Sequence, residues 1–162
     1  MGRQLWRPIV IVGAVGTLTV SCGLAAVIHA AEVSADQVAG RWISEGGTSL
    51  TFHEDHAFTA EDFDELAVSS GCENPSALSS GRWAFPTEGS PLITPDETVT
   101  RGTVLSLTFS AGECEVTAYL FGDEDDPVLC PTDDADVGCP MDDYLRPTPD
   151  HGSRLVKPPA VG

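Results

Sequence analysis

The stretch VLSLTFSAGECEVTAYLF, residues 104–121, decides the fold. Leu105, Leu107 and Phe109 alternate with polar residues, and Val116, Ala118 and Leu120 do the same further on. Side chains on a strand point to opposite faces in turn, so this period of two predicts two strands, each with one buried and one wet face. Ala111-Gly112-Glu113 turns the chain between them.

Reading outward, the same signal recurs on a short spacing. Gly81–Phe85 is an apolar strand with Trp83 at its middle, and Glu97–Arg101 reads as another strand. Thr48–His53 carries Leu50 and Phe52 on one face, Glu54-Asp55 offers a hairpin turn, and Ala57–Glu61 returns with Phe58 in register. Gly40–Ser44 precedes them as a strand. Ser34 and Gln37 have capping-box spacing, which predicts a helical turn over Ala35–Ala39. Asp62–Leu66 forms a turn of helix, and Ser69–Ser80 reads as loop because Gly71, Asn74 and Pro75 break it. Val128–Cys130 and Tyr144–Arg146 close the series. Seven or eight short strands with almost no helix predict a mainly β fold, a small antiparallel β-barrel or sandwich, preceded by one N-terminal hydrophobic helix. Gly40-Arg41-Trp42 and Gly81-Arg82-Trp83 echo each other, which suggests two similar meanders.

Composition divides the 162 residues unevenly. Residues 1–30 hold Arg3 and Arg7 and no acid. Everything after residue 30 carries a formal charge of −19 (25 acids against 6 bases). So few bases exclude nucleic acid as a partner, because phosphate backbones are held by Lys and Arg. The uncharged run 9–30 is 22 residues long, about 33 Å as a helix, enough for a hydrocarbon core of about 30 Å. Bases before it and acids after it orient the following domain outward. Residues 1–30 therefore read as a signal anchor or a signal peptide, with the membrane as partner through 9–30. Residues 31–36 read as a linker, 37–146 as an extracytoplasmic β domain and 147–162 as a flexible tail. The expected location is the cell membrane, single-pass, with the C-terminal domain outside. The alternatives are a secreted chain cut after Ile28-His29-Ala30 and a lipid-anchored chain acylated at Cys22, which ends the lipobox-like Leu18-Thr19-Val20-Ser21-Cys22.

Four cysteines remain: Cys72, Cys114, Cys130 and Cys139. An even count in an exported domain predicts two structural disulfides. Cys130 and Cys139 bracket a loop rich in Pro, Asp and Gly, which favours a local bridge and leaves Cys72 to reach Cys114. A zinc site is the rival, but no CxxC pair is present.

The short helix, the Gly-x-Trp strand, the Gly-rich turn Glu45-Gly46-Gly47 and the Leu50-x-Phe52 strand resemble the entry to lipocalin-like β-barrels. Together with Gly81-Arg82-Trp83, Leu105–Phe109 and the acidic Asp-Pro segment 123–127, residues 36–146 resemble small actinobacterial exported proteins, described as lipoproteins or membrane proteins of unknown function. The lipocalin comparison implies an up-and-down barrel with an internal ligand site, and it brings no catalytic residue with it.

Other candidate chemistry is thin. His53-Glu54-Asp55-His56 has metal-binding residue types, but in hairpin context it reads as an exposed turn. Asp133, Asp134 and Asp136 are weak calcium candidates. An EF-hand register starting at Asp134 puts Gly138 at position five and Leu145 at position twelve, and fails. No Gly-x-Ser-x-Gly, Walker loop or dinucleotide fingerprint occurs, so neither an enzyme nor a cofactor is expected. Trp42 and Trp83 line a pocket or fill the core. The expected function is a non-enzymatic binding or interaction module of the cell envelope, with a small hydrophobic ligand in the lipocalin-like version. The alternatives are a protein-contact domain without a ligand and a calcium-stabilised acidic surface module.

Overall fold

The computed structural model describes residues 29–87, 94–111 and 114–149. Eight strands make the barrel: β1 Gly40–Ser44, β2 Ser49–Phe52, β3 Ala57–Glu61, β4 Ser80–Pro86, β5 Val104–Phe109, β6 Glu115–Asp123, β7 Asp126–Pro131 and β8 Leu145–Pro147. Each strand pairs antiparallel with its neighbours in sequence, and β8 pairs back onto β1. The ring is therefore a closed up-and-down barrel, and closure leaves its strands without a free edge. The two Gly-Arg-Trp segments open β1 and β4 of one continuous meander, not two separate units. They do share a geometry. Each Trp points inward at 1% exposure, and each Arg points outward to a carboxylate, Arg41 to Glu61 at 2.9 Å and Arg82 to Glu97 at 2.6 Å.

The interior is filled by the alternating residues that the sequence puts on one face. Trp42, Leu50, Phe52, Phe58, Trp83, Phe85, Leu105, Leu107, Leu120, Leu129 and Leu145 are all buried. Their rings touch in series: Trp42 on Phe52 at 6.5 Å, Phe52 on Trp83 at 5.7 Å, and Phe58 on Phe109 at 5.0 Å. Edge-on contacts of this kind add to the area term. The indole N–H groups do not go unpaired. Trp42 Nε1 donates to Val38 O at 2.8 Å, and Trp83 Nε1 donates to His53 O at 3.1 Å.

Both mouths of the barrel are corked. At one end the segment leading into β1 lies across the opening. It comprises the short strand Val33–Ser34 and helix α1, Ala35–Val38, closed by the expected capping box of Ser34 and Gln37. Ala31, Val33 and Val38 are buried there. Residues 31–36 are thus built into the fold instead of acting as a linker, because their apolar side chains find the barrel mouth. At the other end the connection from β3 to β4 folds over the opening in three short 3-10 turns, Phe63–Glu65, Ala67–Gly71 and Pro75–Ala77. Phe63, Leu66 and Leu78 plug it.

The long connection from β4 to β5 differs from the single strand expected over Glu97–Arg101. Pro95–Asp96 pairs with Phe85–Pro86, the chain turns at Glu97-Thr98, and Arg101–Gly102 pairs with Val33–Ser34. Gly102 is needed there. A Cβ at this position would stand 2.6 Å from Phe85 Cδ1. Among the described residues no helix is long and apolar enough to cross a membrane. The expected N-terminal helix, most of the run 9–30 and Cys22 lie outside the described residues, as does the tail beyond residue 149.

Candidate functional site

Both disulfides form as the spacing suggested, Cys72 to Cys114 and Cys130 to Cys139, with Cα separations of 5.3 and 5.7 Å. Both lie at the barrel end away from the N-terminal segment. Cys72 belongs to the corking connection, and Cys130 sits near the end of β7. Beyond it runs the loop 132–144, which carries five Asp and no base. This loop is ordered by its own polar groups. Thr132 Oγ1 accepts from Asp134 N at 3.2 Å, Asp134 Oδ1 accepts from Asp136 N at 3.0 Å, and Gly138 N donates to Asp134 O at 3.1 Å. Gly138 holds φ at 70°, a left-handed turn that glycine adopts without strain. Gly46 N reaches Asp142 O at 3.3 Å, which ties the loop to the β1–β2 turn.

Two side chains in this loop stand out. Val137 is 78% exposed and Met141 is 82% exposed, and they are the only large hydrophobics left that open among the described residues. A single exposed apolar residue means little. Here both fall within five positions of one stapled, wholly acidic loop. The weak calcium candidates Asp133, Asp134 and Asp136 lie in this same loop, beside Val137 and Met141. For the latter two the available signal was an apolar residue that no strand pattern claims.

The other candidates disperse. Trp42 and Trp83 are core residues. His56 lies against Trp83, with ring centroids 4.6 Å apart and Nδ1 3.1 Å from Trp83 O. His53 stands exposed, offering its backbone carbonyl to the same Trp, so the two histidines serve the hairpin separately. Asp133, Asp134 and Asp136 are exposed. Among the described residues no group of three or more His, Cys, Asp or Glu converges as metal ligands.

At the N-terminal end an open groove of about 830 Å³ runs between Asp36, His53, Glu54, Glu124, Asp125 and Pro147. It is a surface feature of the rim, outside the packed interior. Among the described residues, a displaced pKa lies away from this groove. The Thr98 hydroxyl, and after it the Thr98 backbone N–H, donate to Asp96 and hold its carboxyl below the ordinary value. The chain matches no family model, no curated protein and no solved structure at a significant level.

Proposed function

We propose that this chain is a membrane-attached, extracytoplasmic protein-contact domain without catalytic activity, and that it engages its partner through the loop 132–144. The observation that carries the reading is the pairing of exposed Val137 and Met141 on that loop. The Cys130–Cys139 staple limits the loop's freedom before binding, so less ordering entropy is lost on contact. Five aspartates around two apolar side chains call for a partner surface with an apolar hollow ringed by Lys or Arg. The loop projects from the end opposite the N-terminal segment, so a domain held by its leader presents it away from the membrane. The uncharged run 9–30, with bases before it and acids after it, supports the export half of this reading.

The lipocalin-like version, with a hydrophobic ligand inside, fits the residues less well. An eight-stranded barrel has room either for its own side chains or for one small ligand. Here the ring of Trp, Phe and Leu occupies the space and both mouths are corked.

The test uses the full-length chain in its native membranes. A photo-crosslinking residue at position 137 or 141 is expected to give one discrete adduct, and the same probe at Thr59 or Thr108 on the barrel wall none. The yield is expected to fall as salt rises, because exposed charge pairs are screened over about 8–10 Å. Equal labelling at loop and wall positions would remove the proposal.

A further inference from the structure

The segment that leads into the barrel does more than cork it. β6 runs on past the end of β5: Val104 pairs with Tyr119, and β6 continues to Asp123. The edge of β6 beyond Tyr119 is taken up by the N-terminal segment. Gly122 N donates to His29 O at 2.9 Å, Ala30 bridges antiparallel to Phe121, and Ala31 N donates to Leu120 O at 2.9 Å. Val33 then pairs with Gly102, Arg101 Nε reaches Glu32 at 3.0 Å, and Ala35 N donates to Thr100 O at 2.9 Å. Among the described residues, pairing therefore reaches back to His29, inside the uncharged run that ends at Ala30.

This bears on one of the leader-removal points that the sequence offers, the bond between Ala30 and Ala31. We infer that His29 and Ala30 belong to the mature domain, and that the Ala30–Ala31 bond is not where the leader is removed. Two arguments carry it. A cut there strips the paired residues His29 and Ala30 and exposes the end of the β6 edge, which is a template for unwanted pairing. It also replaces the Ala31 amide, which donates to Leu120 O at 2.9 Å, by a charged amine that competes for water at the barrel rim. Once the barrel has closed, the bond is protected as well. A peptidase must draw the residues on both sides of the bond into its own cleft as an extended strand. Here they are already hydrogen-bonded into another one. The leader must then be retained or removed upstream of His29. The inference rests on reading 9–30 as an export leader and is independent of the contact loop.

The decisive experiment is the intact mass of the oxidised, full-length gene product recovered from the envelope of an exporting bacterial host. A mass that includes His29 and Ala30, with or without upstream residues, is the expected result. A chain starting at Ala31 or later overturns the inference alone. An intact chain left in the cytoplasm overturns it by a different route, because the leader reading itself then fails. A second measurement needs no native processing. Ala30 is exposed, so Ala30→Arg places a trypsin site at the bond without entering the core. In the folded full-length chain this site is expected to be cut about 100-fold more slowly than in urea with the disulfides reduced, because cleavage must wait for local opening. Equal rates in the two states overturn the inference.

Discussion

Removing the Cys72–Cys114 bridge should destabilise the domain more than removing Cys130–Cys139, and the difference can be worked from the chain. A cross-link stabilises mainly by denying the unfolded chain its loop entropy, and the effect grows with the logarithm of the loop. The two bridges close sequence separations of 42 and 9 residues. The chain-entropy relation gives about 3.9 kcal/mol for the first and about 2.6 kcal/mol for the second. The comparison is best made with paired alanine variants. Cys130 is fully buried, and serine there would add an unpaired hydroxyl. Each bridge has one buried and one half-buried cysteine, so the cavity terms of the two double variants largely cancel. In urea denaturation, at about 1–1.5 kcal/mol per molar for a domain of this size, Cys72→Ala/Cys114→Ala should unfold roughly 1 M earlier than Cys130→Ala/Cys139→Ala. Equal midpoints, or the reverse order at matched slopes, would refute the reasoning. They would mean that the corking connection stays in place without its staple.

Three further outcomes follow from single positions. Gly81→Ala would place a Cβ 2.7 Å from Phe58 Cε1 and against the Thr108 carbonyl, so a loss of about 1–3 kcal/mol is expected from overpacking; an unchanged melting temperature would show that β4 can move away from Phe58. Ser44 Oγ is buried without a hydrogen-bond partner, so Ser44→Ala should leave stability equal or raise it by up to about 1 kcal/mol, and a clear loss in calorimetry would reveal a partner for that hydroxyl. The Asp96 carboxyl is depressed by Thr98, so the bonds it makes favour the fold above the ordinary carboxylate range and lose that effect as pH falls through the lowered value. Thr98→Val should return it toward the ordinary value in a carboxyl NMR titration, and no movement would remove the hydroxyl as the main cause.

Much of the barrel is legible because its strands obey a period of two. Leu105, Leu107 and Phe109 declare an inward face, and Val116, Ala118 and Leu120 answer it. Strand β7 is harder to read. Its centre Val128–Cys130 shows, but Pro127 and Pro131 argue against extending it, and pairing nonetheless runs from Asp126 to Pro131 against β6. Proline lacks an N–H but keeps its carbonyl, and antiparallel bonding asks each residue for a partner on only one side. The segment 31–36 was illegible for a different reason. Its apolar residues Ala31, Val33 and Ala35 alternate, but two of the three are alanines that carry little hydrophobic signal, and only the barrel mouth gives them a partner. The site was hidden by the same logic. Exposure of Val137 and Met141 is a property of the finished surface, and no spacing in the sequence announces it.

The filled interior and the acidic loop are connected through the size of the domain. Roughly 110 residues spread over eight strands leave most strands only three to seven residues long. A barrel that short has little apolar surface to bury, and a small domain needs nearly all of it for stability. Emptying the centre to admit a ligand would forfeit the contacts among Trp42, Phe52, Trp83 and Phe58. The interior therefore supports the fold, and the proposed contact role falls to a surface that the fold does not need. The loop 132–144 meets that condition. Val137 and Met141 contribute nothing to the core, the Cys130–Cys139 disulfide restrains the loop locally, and its aspartates surround the two exposed apolar residues with charge that keeps them soluble.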